Sequence, residues 1–485
     1  MVMRVPGLAT GMDIEAMVNK LMEAERMPLQ RMKQDQTKLE WKRDAFRDVN
    51  RVLLQLDELM FDMKLSRTYR SKSVTSSREG AVTATANTAS TAGSYSVEVK
   101  QLATAAMLVG KGAIDLDKVY EEDGVVKFTT FDAAGQAVNH EFEYKEGDTL
   151  GSIITQINNS DSPVRVFYDA QSQQVVLEAT RTGIYNKNEN GKEIVFDENS
   201  FFANELGLNP NAEQGAQNAE FTYNHGLTLS SQSNSYTING INLQFHDVTD
   251  GTATLTVAND TDHAFDSIMK FVDQYNKVVE ALNTPQQERV YRDYLPLTDE
   301  QMEEMTDKQI ELWEEKAKSG ILRGESALTN GLYSMRQGWY ANVETGGAFT
   351  SLTSIGITTS KDYFDGGKLI VDEEKLRKAL EEDPEGVQKL FSNSSEGDSR
   401  GLVNRLEDNV KNTMRNIEKQ AGKEFHALDN YTLGKRMKEL GDSISAFEAR
   451  LIQVENRYWN QFTQMEKAIQ RMNEQSSYLF SQFGG

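Results

Sequence analysis

Between positions 46 and 63 the chain reads FRDVNRVLLQLDELMFDM, and this stretch decides the fold. Its apolar residues repeat every seven positions, in a series that extends back through Leu39 and Met32. The first register contains Phe46, Leu53 and Met60, and the second contains Val49, Leu56 and Met63. Two registers offset by three residues form the a/d pattern of a helix that buries one stripe against partner helices. The sequence therefore predicts that the first ~70 residues are mainly helical.

The last ~50 residues repeat the pattern at the other end of the chain. One register contains Met437, Ile444, Leu451, Tyr458, Met465 and Met472, and the other contains Leu440, Phe447 and Val454. Because burial of the apolar stripe supplies most of a helix's stability, neither stripe is expected to stay in water. We predict that the two ends pack against each other or against the same stripes of another copy. Two unrelated helical subdomains are the alternative.

Three features mark the ends of these helical regions. Asp13 is a predicted N-cap for the first helix, and Pro28 predicts a break or a new helix start. The tail from Tyr478 to Gly485 carries four apolar residues, which would be costly to leave in water. A partner would cover this tail, and docking onto the chain's own helices is the alternative.

The middle of the chain, from about Ser71 to Asp260, changes to an apolar period of two, which predicts strands. The predicted strands lie at 82–86, 95–99, 164–168 and 175–179. Asn239-Gly240 predicts a hairpin, because a type I′ turn needs positive φ at both positions. Residues 252–257 are the predicted partner strand of this hairpin, and residues 148–159 are a predicted short helix.

Helical periodicity returns after the β region. Helices are predicted at 263–283, 298–318 and 402–423, and a strand followed by a helix is predicted at 367–391. If the end helices pair, the order helix, β, helix makes the β region an insertion held out from a helical stalk.

The composition narrows the choice of partners. The 485 residues carry a formal net charge of −22 and no cysteine, and residues 115–220 contain 20 acidic and seven basic residues. This acidity disfavours nucleic acid and anionic membrane surfaces as partners, and the lack of cysteine excludes disulfides and thiolate sites. No apolar run approaches the ~20 residues of a membrane span. Since the N-terminus also lacks the apolar core of a secretory signal, we expect a soluble protein without a removable signal peptide.

The residue types that carry chemistry form no convergent pattern. The five histidines make no HxxxH or HExxH motif, and the phosphate-loop, nucleophile-elbow and dinucleotide-binding motifs are missing. Asp362, Asp365 and Asp372 around Gly366-Gly367 superficially suggest a cation loop, but they lack the DxDxDG spacing and the closing Glu. We interpret this segment as a turn before a strand, and we predict no catalytic residue, no metal and no cofactor.

Several longer motifs are spread along the chain. They are VPGLATGMDIEAMVNKLMEAERMPL at 5–29, GSYSVEVKQLATA at 93–105, INGINLQF at 238–245, TDHAFDSIMKFVDQYNKVVEALN at 261–283, SIGITTSKDYFDGGKLIVDEEKLRKALEEDPEGVQKLF at 354–391 and MNEQSSYLF at 472–480. Together they resemble the flagellar filament-capping proteins, the second hook-associated protein family. The segment 354–391 is the most specific match, whereas 106–220 and 284–320 match less clearly.

The resemblance implies an α+β fold. Both chain ends would form a terminal α-helical coiled-coil leg, with nested antiparallel β-rich head domains inserted between them. The implied domains are 1–45 with 436–485 as terminal coiled-coil, filament-contacting segments, 46–70 with 263–435 as a helical leg domain, 71–105 with 218–262 as an inner β head domain and 106–217 as an outer acidic β-rich head domain.

The resemblance also implies a function. Such a protein would cap the distal end of the bacterial flagellar filament, where it templates the folding and insertion of exported flagellin and prevents its loss as monomer. Filament elongation and motility would require it. Its partners would be itself, in a ring of about four to six copies, flagellin, and the flagellar type III export machinery with an export chaperone. It would be secreted through that apparatus to the filament tip.

The matched motifs imply two sets of interface residues. Contacts with filament subunits or neighbouring legs are expected from Leu8, Met12, Ile14, Met17, Val18, Leu21, Met22, Met472, Leu479, Phe480 and Phe483. A coiled-coil leg is expected to pack Phe46, Val49, Leu53, Leu56 and Met60 against Ile444, Phe447, Leu451 and Val454.

Three alternatives remain, one close to the cap and two of a different class. Flagellin or a hook–filament junction protein would share the paired terminal helices, but residues 5–29 and 354–391 favour the cap. A surface adhesin would bind host glycans or mucin through the acidic head, and this role could coexist with capping. An acid–base hydrolase is the third alternative, and the sequence shows no convergent site for it.

Overall fold

The computed structural model describes residues 13–188 and 191–483, and these residues divide into two compact units. The first unit combines the N-terminal segment up to Tyr69 with the chain from Ala264 onward. The second unit runs from Arg70 to His263. The β-rich middle of the chain is therefore an insertion into a unit that both chain ends build.

The helices and strands follow one another in the order that the sequence periodicity indicates. The first half contains α1 (Ile14–Met63), α2 (Ser66–Arg70), β1 (Lys72–Ser76), β2 (Val82–Ala86), β3 (Gly93–Gln101), β4 (Ala105–Val109), β5 (Gly124–Phe131), β6 (Ala137–Tyr144), α3 (Leu150–Asn158), β7 (Val164–Asp169), β8 (Gln174–Thr182), α4 (Phe201–Leu206), β9 (Ala219–Tyr223), β10 (Leu227–Ser231), β11 (Ser235–Ile238), β12 (Ile241–Phe245) and β13 (Ala253–Asn259). The second half contains α5 (Thr261–Gln287), α6 (Asp299–Glu303), α7 (Asp307–Lys318), α8 (Ser326–Gly338), β14 (Ile357–Thr359), β15 (Leu369–Val371), α9 (Glu373–Glu382), α10 (Pro384–Ser392), α11 (Leu402–Ala421) and α12 (Thr432–Phe483). The predicted α+β fold, with long helices from both chain ends and antiparallel sheets between them, is confirmed.

The first helix, α1, begins where the sequence predicts. The Ala16 amide donates to the Asp13 side chain at 2.9 Å, which satisfies one of the unpaired N–H groups at the helix start. The predicted break at Pro28 is wrong, because α1 continues through this residue to Met63. Apolar residues on either side of Pro28, Met22 and Leu29, pack in the same cluster, so tertiary packing outweighs the lost hydrogen bond.

The main core of the first unit forms between α1, α5 and α11. Its members include Phe46, Leu53, Leu56 and Met60 of α1, Phe271, Tyr275 and Val279 of α5, and Leu406, Val410 and Ile417 of α11. Polar contacts fix the register of α1 on α11: Arg47 donates to the Ala421 carbonyl at 3.1 Å, and Lys64 donates to Glu407 at 2.9 Å. The two helices are therefore antiparallel, and the heptad stripe that opens the sequence argument is buried inside a helical bundle.

The described residues of the second unit form two hydrophobic cores. The first lies between a five-stranded antiparallel sheet, ordered β1-β13-β3-β9-β10, and a three-stranded sheet, ordered β11-β12-β2. Phe221 of β9 links these sheets, since its ring lies 4.7 Å from that of Phe245 on β12. The second core packs α3 and α4 against the β4-β8-β7 and β5-β6 sheets. Each core draws its residues from one of the segments predicted as the inner and outer head domains; that division stays a prediction.

The predicted hairpin at Asn239-Gly240 is confirmed. Both residues have positive φ, at 55° and 78°, and Ile238 pairs with Ile241 across the turn. The predicted partner strand at 252–257 exists as β13, but its assignment is wrong, because β13 pairs with β1 and β3 in the facing sheet. Buried residues such as Ala253 and Leu255 alternate with exposed residues along β13, and this pattern fits a strand of either sheet. The periodicity alone therefore does not determine which sheet β13 joins.

We expect Gly240→Ala to lower the free energy of unfolding of the second unit by about 1–3 kcal/mol. The reason is that φ of Gly240 is positive and an added methyl group would overlap with neighbouring side chains. A Cβ at this position would lie 2.5 Å from Asn87 Oδ1 and 2.8 Å from Ser90 Oγ. Urea unfolding followed by circular dichroism measures the change. The control is Gly80→Ala, since a Cβ at Gly80 would meet no atom within 4 Å. Equal stability of both variants would contradict the assigned turn geometry.

Two further helix predictions need correction. The helix expected at 298–318 is split into α6 and α7, because Thr306 starts a new capping box with Gln309. The helix expected within 367–391 is likewise split into α9 and α10 at Asp383, which caps the Pro384 start of the second helix.

Candidate assembly surfaces

The ends of the chain meet in a small core of their own. Ile14, Val18 and Met22 of α1 are buried against Leu451 and Val454 of α12. Partly buried residues around them are Met17, Leu29, Phe447, Tyr458, Trp459 and Phe462. The expected pairing of the two terminal stripes within one chain is therefore confirmed for this part of α1. We call this pair of helix segments, 14–29 with 447–462, the end pair.

Two polar contacts fix the direction of the two helices. The Tyr458 hydroxyl donates to Glu25 at 2.9 Å, and Lys33 lies 3.1 Å from Glu448. Moving forward along α1 thus corresponds to moving backward along α12, so the helices are antiparallel.

This direction corrects the expected packing within the leg. Phe46, Val49, Leu53, Leu56 and Met60 do not share a cluster with Phe447, Leu451 and Val454; they belong to the main core with α5 and α11. Ile444 is buried but belongs to neither cluster. Continuing the antiparallel register one residue for one residue places Phe46 opposite residues of about 435–437, in the first two turns of α12. Beyond that point α11, not α12, covers α1.

The predicted filament-contact residues differ in exposure. Within α1, Ile14, Val18 and Met22 are covered by α12 of the same chain, whereas Leu21 is 41% exposed. In α12, Met472, Leu479 and Phe480 are all exposed, Phe480 at 77%. Leu8 and Met12 lie outside the described residues, as does the side chain of Phe483. We use the name terminal stripe for the exposed residues Met472, Tyr478, Leu479 and Phe480, which follow one another over the last turns of α12.

The terminal stripe lies beyond the part of α12 that packs on the described residues of α1. The partly buried residues of the end pair reach Phe462 on α12, while α1 starts at Ile14. From 471 to 480 every residue of α12 is exposed. Within the described part of the chain, four large side chains on about two and a half helical turns are therefore exposed to solvent, which is typical of an interaction surface.

Sequence reasoning missed a second group of exposed aromatic residues. Tyr363, Phe364 and Phe425 are each more than 70% exposed. Tyr363 and Phe364 precede Gly366, which has φ of 66° and closes a short 3₁₀ turn. The adjacent aromatic residues Tyr363 and Phe364 were visible in the sequence, but we interpreted the segment around Gly366-Gly367 only as a turn.

The aspartates considered for a cation have local structural roles. Asp362 accepts from the Phe364 amide at 2.8 Å, Asp372 accepts from the Lys375 amide at 3.2 Å, and Asp365 accepts from the Ser360 hydroxyl at 2.5 Å. Within 13–188 and 191–483, no group of three or more His, Asp or Glu side chains is arranged to hold a metal ion. Among the helices of these same ranges, none has the length and apolar content that crossing a membrane requires.

A charged cluster holds α11 against α1. Glu407 accepts from Lys64 at 2.9 Å and from Lys411 at 2.6 Å, and Lys411 lies 3.9 Å from Asp57. Burial alone would raise the pKa of Glu407, but the two ammonium groups outweigh it and hold the pKa below its usual value. The same carboxylate raises the pKa of Lys411.

We expect Glu407→Gln to lower the free energy of unfolding at pH 7 by about 1–2 kcal/mol. Because the folded pKa of Glu407 is lowered, its stabilisation is complete above the unfolded value of about 4.3 and is lost as the pH falls through the folded pKa. The difference from the natural protein should therefore shrink below about pH 4. Denaturant unfolding across a pH series measures it, with the exposed Glu381→Gln as control. A difference that is constant with pH would contradict the ion-pair account.

Long antiparallel helices from both chain ends, an inserted β-rich unit and an exposed apolar stretch on the described part of α12 are typical of a structural protein that assembles with partners. Comparison with protein families agrees with this class. The family model described as the flagellar hook-associated protein 2 C-terminus matches residues 216–474, and the model of the N-terminus matches residues 10–106. The chain belongs to the flagellar hook-associated protein 2 family.

Relatives extend the match to nearly the whole chain. The flagellar hook-associated protein 2 of Halalkalibacterium halodurans is 36% identical and covers 98% of this chain and 99% of its own length. The protein of the same name from Thermotoga maritima is 23% identical over 98% of this chain and 95% of its own length. The D1-D2-D3 domains of the flagellar cap protein FliD from Escherichia coli share the fold, with a TM-score of 0.57 and 19% identity over 82% of this chain and 99% of that structure. The family is one of structural flagellar proteins and not a known enzyme family.

Proposed function

We propose that this protein caps the distal end of the bacterial flagellar filament and templates the insertion of exported flagellin beneath it. The observation that carries the proposal is the terminal stripe, in which Phe480 is 77% exposed at the end of a 52-residue helix. Family membership supports the flagellar setting, and a solved structure with this fold is a flagellar cap protein.

The proposed mechanism uses the surfaces one by one. The terminal stripe and Leu21 dock into apolar grooves at the filament end, where burial supplies the affinity. The end pair keeps Ile14 and Val18 covered until assembly, so that the free protein stays soluble. An arriving flagellin folds in the space below the cap, and its own contacts then replace those of one leg. In this mechanism the cap acts as a template, and no side chain performs covalent chemistry.

The proposal includes the wider assembly. Several copies, about four to six, form a closed ring, because a cap must cover the open end of a filament. The chain leaves the cell through the flagellar type III apparatus with the help of an export chaperone, and its site of action is the filament tip. The missing cysteines suit export of an unfolded chain, which must not form cross-links.

Adhesion through the head is a second proposed role. The acidic block at 115–220 motivates it, because in a cap the head would face away from the filament. Binding of the purified protein to immobilised mucin and to glycan arrays tests this role, and no binding above that of a charge-matched acidic protein would refute it.

The test of the capping role is complementation of a strain that lacks this protein. We expect the full-length chain to restore filaments and swimming. A chain without residues 1–29, which lacks the α1 half of the end pair, is expected to release monomeric flagellin into the medium. Secretion of the truncated chain itself is measured in the same culture, because loss of export would imitate loss of capping. Normal filaments in the strain without any copy of the protein would overturn the proposal.

A further inference from the structure

Strand β10 forms one edge of the five-stranded sheet in the second unit. Among the described residues, β9 pairs with one side of β10, and no strand pairs with the other side. Leu227, Thr228 and Ser230 of β10 are exposed, Leu227 at 48%. A strand in this position offers its unpaired backbone groups to any other strand that approaches.

The hydrogen-bond pattern of the sheet indicates which backbone groups of β10 are unpaired. The Asn224 amide donates to the Ser96 carbonyl at 2.9 Å, so Asn224 and every second residue before it on β9 direct their backbone groups toward β3. The residues between them face β10, where one of them pairs with Leu229. The direction alternates in the same way along β10, so the N–H and C=O groups of Thr228 and Ser230 point out of the sheet.

Other edge strands of the second unit carry a protection that β10 lacks. On β7 the Asn158 side chain closes the edge, since it donates to the Val166 carbonyl and accepts from the Val166 amide, both at 2.8 Å. Strand β6 presents the exposed carboxylates of Glu141 and Glu143. Residues 226–245, by contrast, contain no charged side chain and no proline, in a chain of which 26% is charged. The edge at β10 is therefore chemically open to pairing.

We propose that β10 pairs antiparallel with β10 of a second copy of this chain. Two chains of net charge −22 repel each other, and the uncharged segment 226–245 is where they can approach with the least repulsion. A register centred on Leu229 places Thr228 of one copy opposite Ser230 of the other. The outward N–H and C=O groups of both residues are then satisfied by backbone hydrogen bonds between the copies. The same register brings a second strand against the exposed Leu227.

The proposed contact is two-fold and is separate from the contacts that would close a ring. In a two-fold contact the same residues meet on both copies, whereas ring contacts join two different surfaces. A strand of five residues buries less surface than a stable dimer needs, so the pair is expected to form at raised protein concentration. This inference concerns the second unit alone and does not depend on the capping role.

Cross-linking of the full-length protein tests the register. Because the chain has no cysteine, Thr228→Cys can be joined specifically to the same residue of a second copy by a short bis-maleimide. In the proposed register these two residues are diagonal neighbours about 7–8 Å apart. The matched control is Thr254→Cys, an exposed residue of β13 in the same sheet. Seven strand spacings of about 4.8 Å would separate its two copies, which is too far for the reagent.

We expect at least about ten times more cross-linked dimer from Thr228→Cys than from Thr254→Cys. Equal yields from the two variants, or no dimer from Thr228→Cys, would overturn the proposal.

Hydrogen exchange at two protein concentrations provides a second test, because the Thr228 and Ser230 amides are protected only in the pair. In the natural protein we expect the β10 peptide to exchange about fivefold more slowly at the higher concentration. Thr228→Lys with Ser230→Lys sets like charges opposite each other and should abolish this dependence. The control is Thr254→Lys with Thr256→Lys, which adds the same charge to β13 and should keep it. A β10 exchange rate that does not change with concentration, an edge variant that keeps the dependence or a control that loses it would contradict the pairing.

Discussion

Leu53→Ala is expected to lower the free energy of unfolding of the first unit by about 3–5 kcal/mol. Leu53 is fully buried in the main core of α1, α5 and α11, where its removal leaves a cavity that the helices cannot close completely. The second unit has its own cores, so its unfolding transition should not move. Thermal unfolding monitored by calorimetry separates the two transitions and measures both shifts.

The neighbouring residue provides the control for this prediction. Leu54 is 45% exposed, and Leu54→Ala should change the stability of the first unit by less than about 1 kcal/mol. Similar destabilisation by both variants would contradict the heptad stripe as the buried face of α1. A common shift of both transitions would contradict the division into two separately packed units.

Leu479→Ser with Phe480→Ser is expected to weaken binding to the filament end by at least about a hundredfold. Burying a Leu or Phe side chain contributes about 1.5–3 kcal/mol, and both residues are exposed in the free chain. The stability of the chain should stay unchanged for the same reason. Sedimentation of the purified variant with sheared flagellin filaments measures the binding, and circular dichroism measures the fold.

The control for the terminal stripe is Phe425→Ser with Leu428→Ser. These residues lie in the connection between α11 and α12 and are also exposed, Phe425 at 82%. These two substitutions remove one Phe and one Leu, as the terminal-stripe variant does, but from another surface of the same unit. If both double variants lost binding equally, a general effect of surface hydrophobicity would replace the specific terminal contact.

The sequence is sufficient to predict the features of the fold that depend on local patterns. The heptads of α1 and α12, the Asp13 cap and the Asn239-Gly240 turn each require particular residues at fixed spacing, and the structure contains all of them. Burial of Ile14 and Val18 follows as well, because an exposed apolar stripe needs a cover, but the pattern did not decide whether α12 of the same chain or another molecule supplies that cover.

The errors concern long-range choices between equivalent partners. The heptad pattern predicts that Phe46 is buried, but it does not predict which helix covers it. Both α11 and α12 have a suitable apolar face. The alternation in β13 likewise fits either of the two facing sheets. At Pro28 the local rule for proline predicts a break, but packing of Met22 and Leu29 on α12 keeps the helix continuous. The aromatic exposure of Tyr363 and Phe364 depends on the surrounding loops, which local patterns do not specify.

Electron microscopy of flagellin filaments mixed with the gold-labelled full-length protein tests the central claim most directly. The capping account predicts label at one end of each filament, and loss of that label with the Leu479→Ser and Phe480→Ser variant. Elongation from added flagellin should then proceed only beneath the labelled end. Label distributed along the filament sides, or no label on filaments that still elongate, would contradict the account.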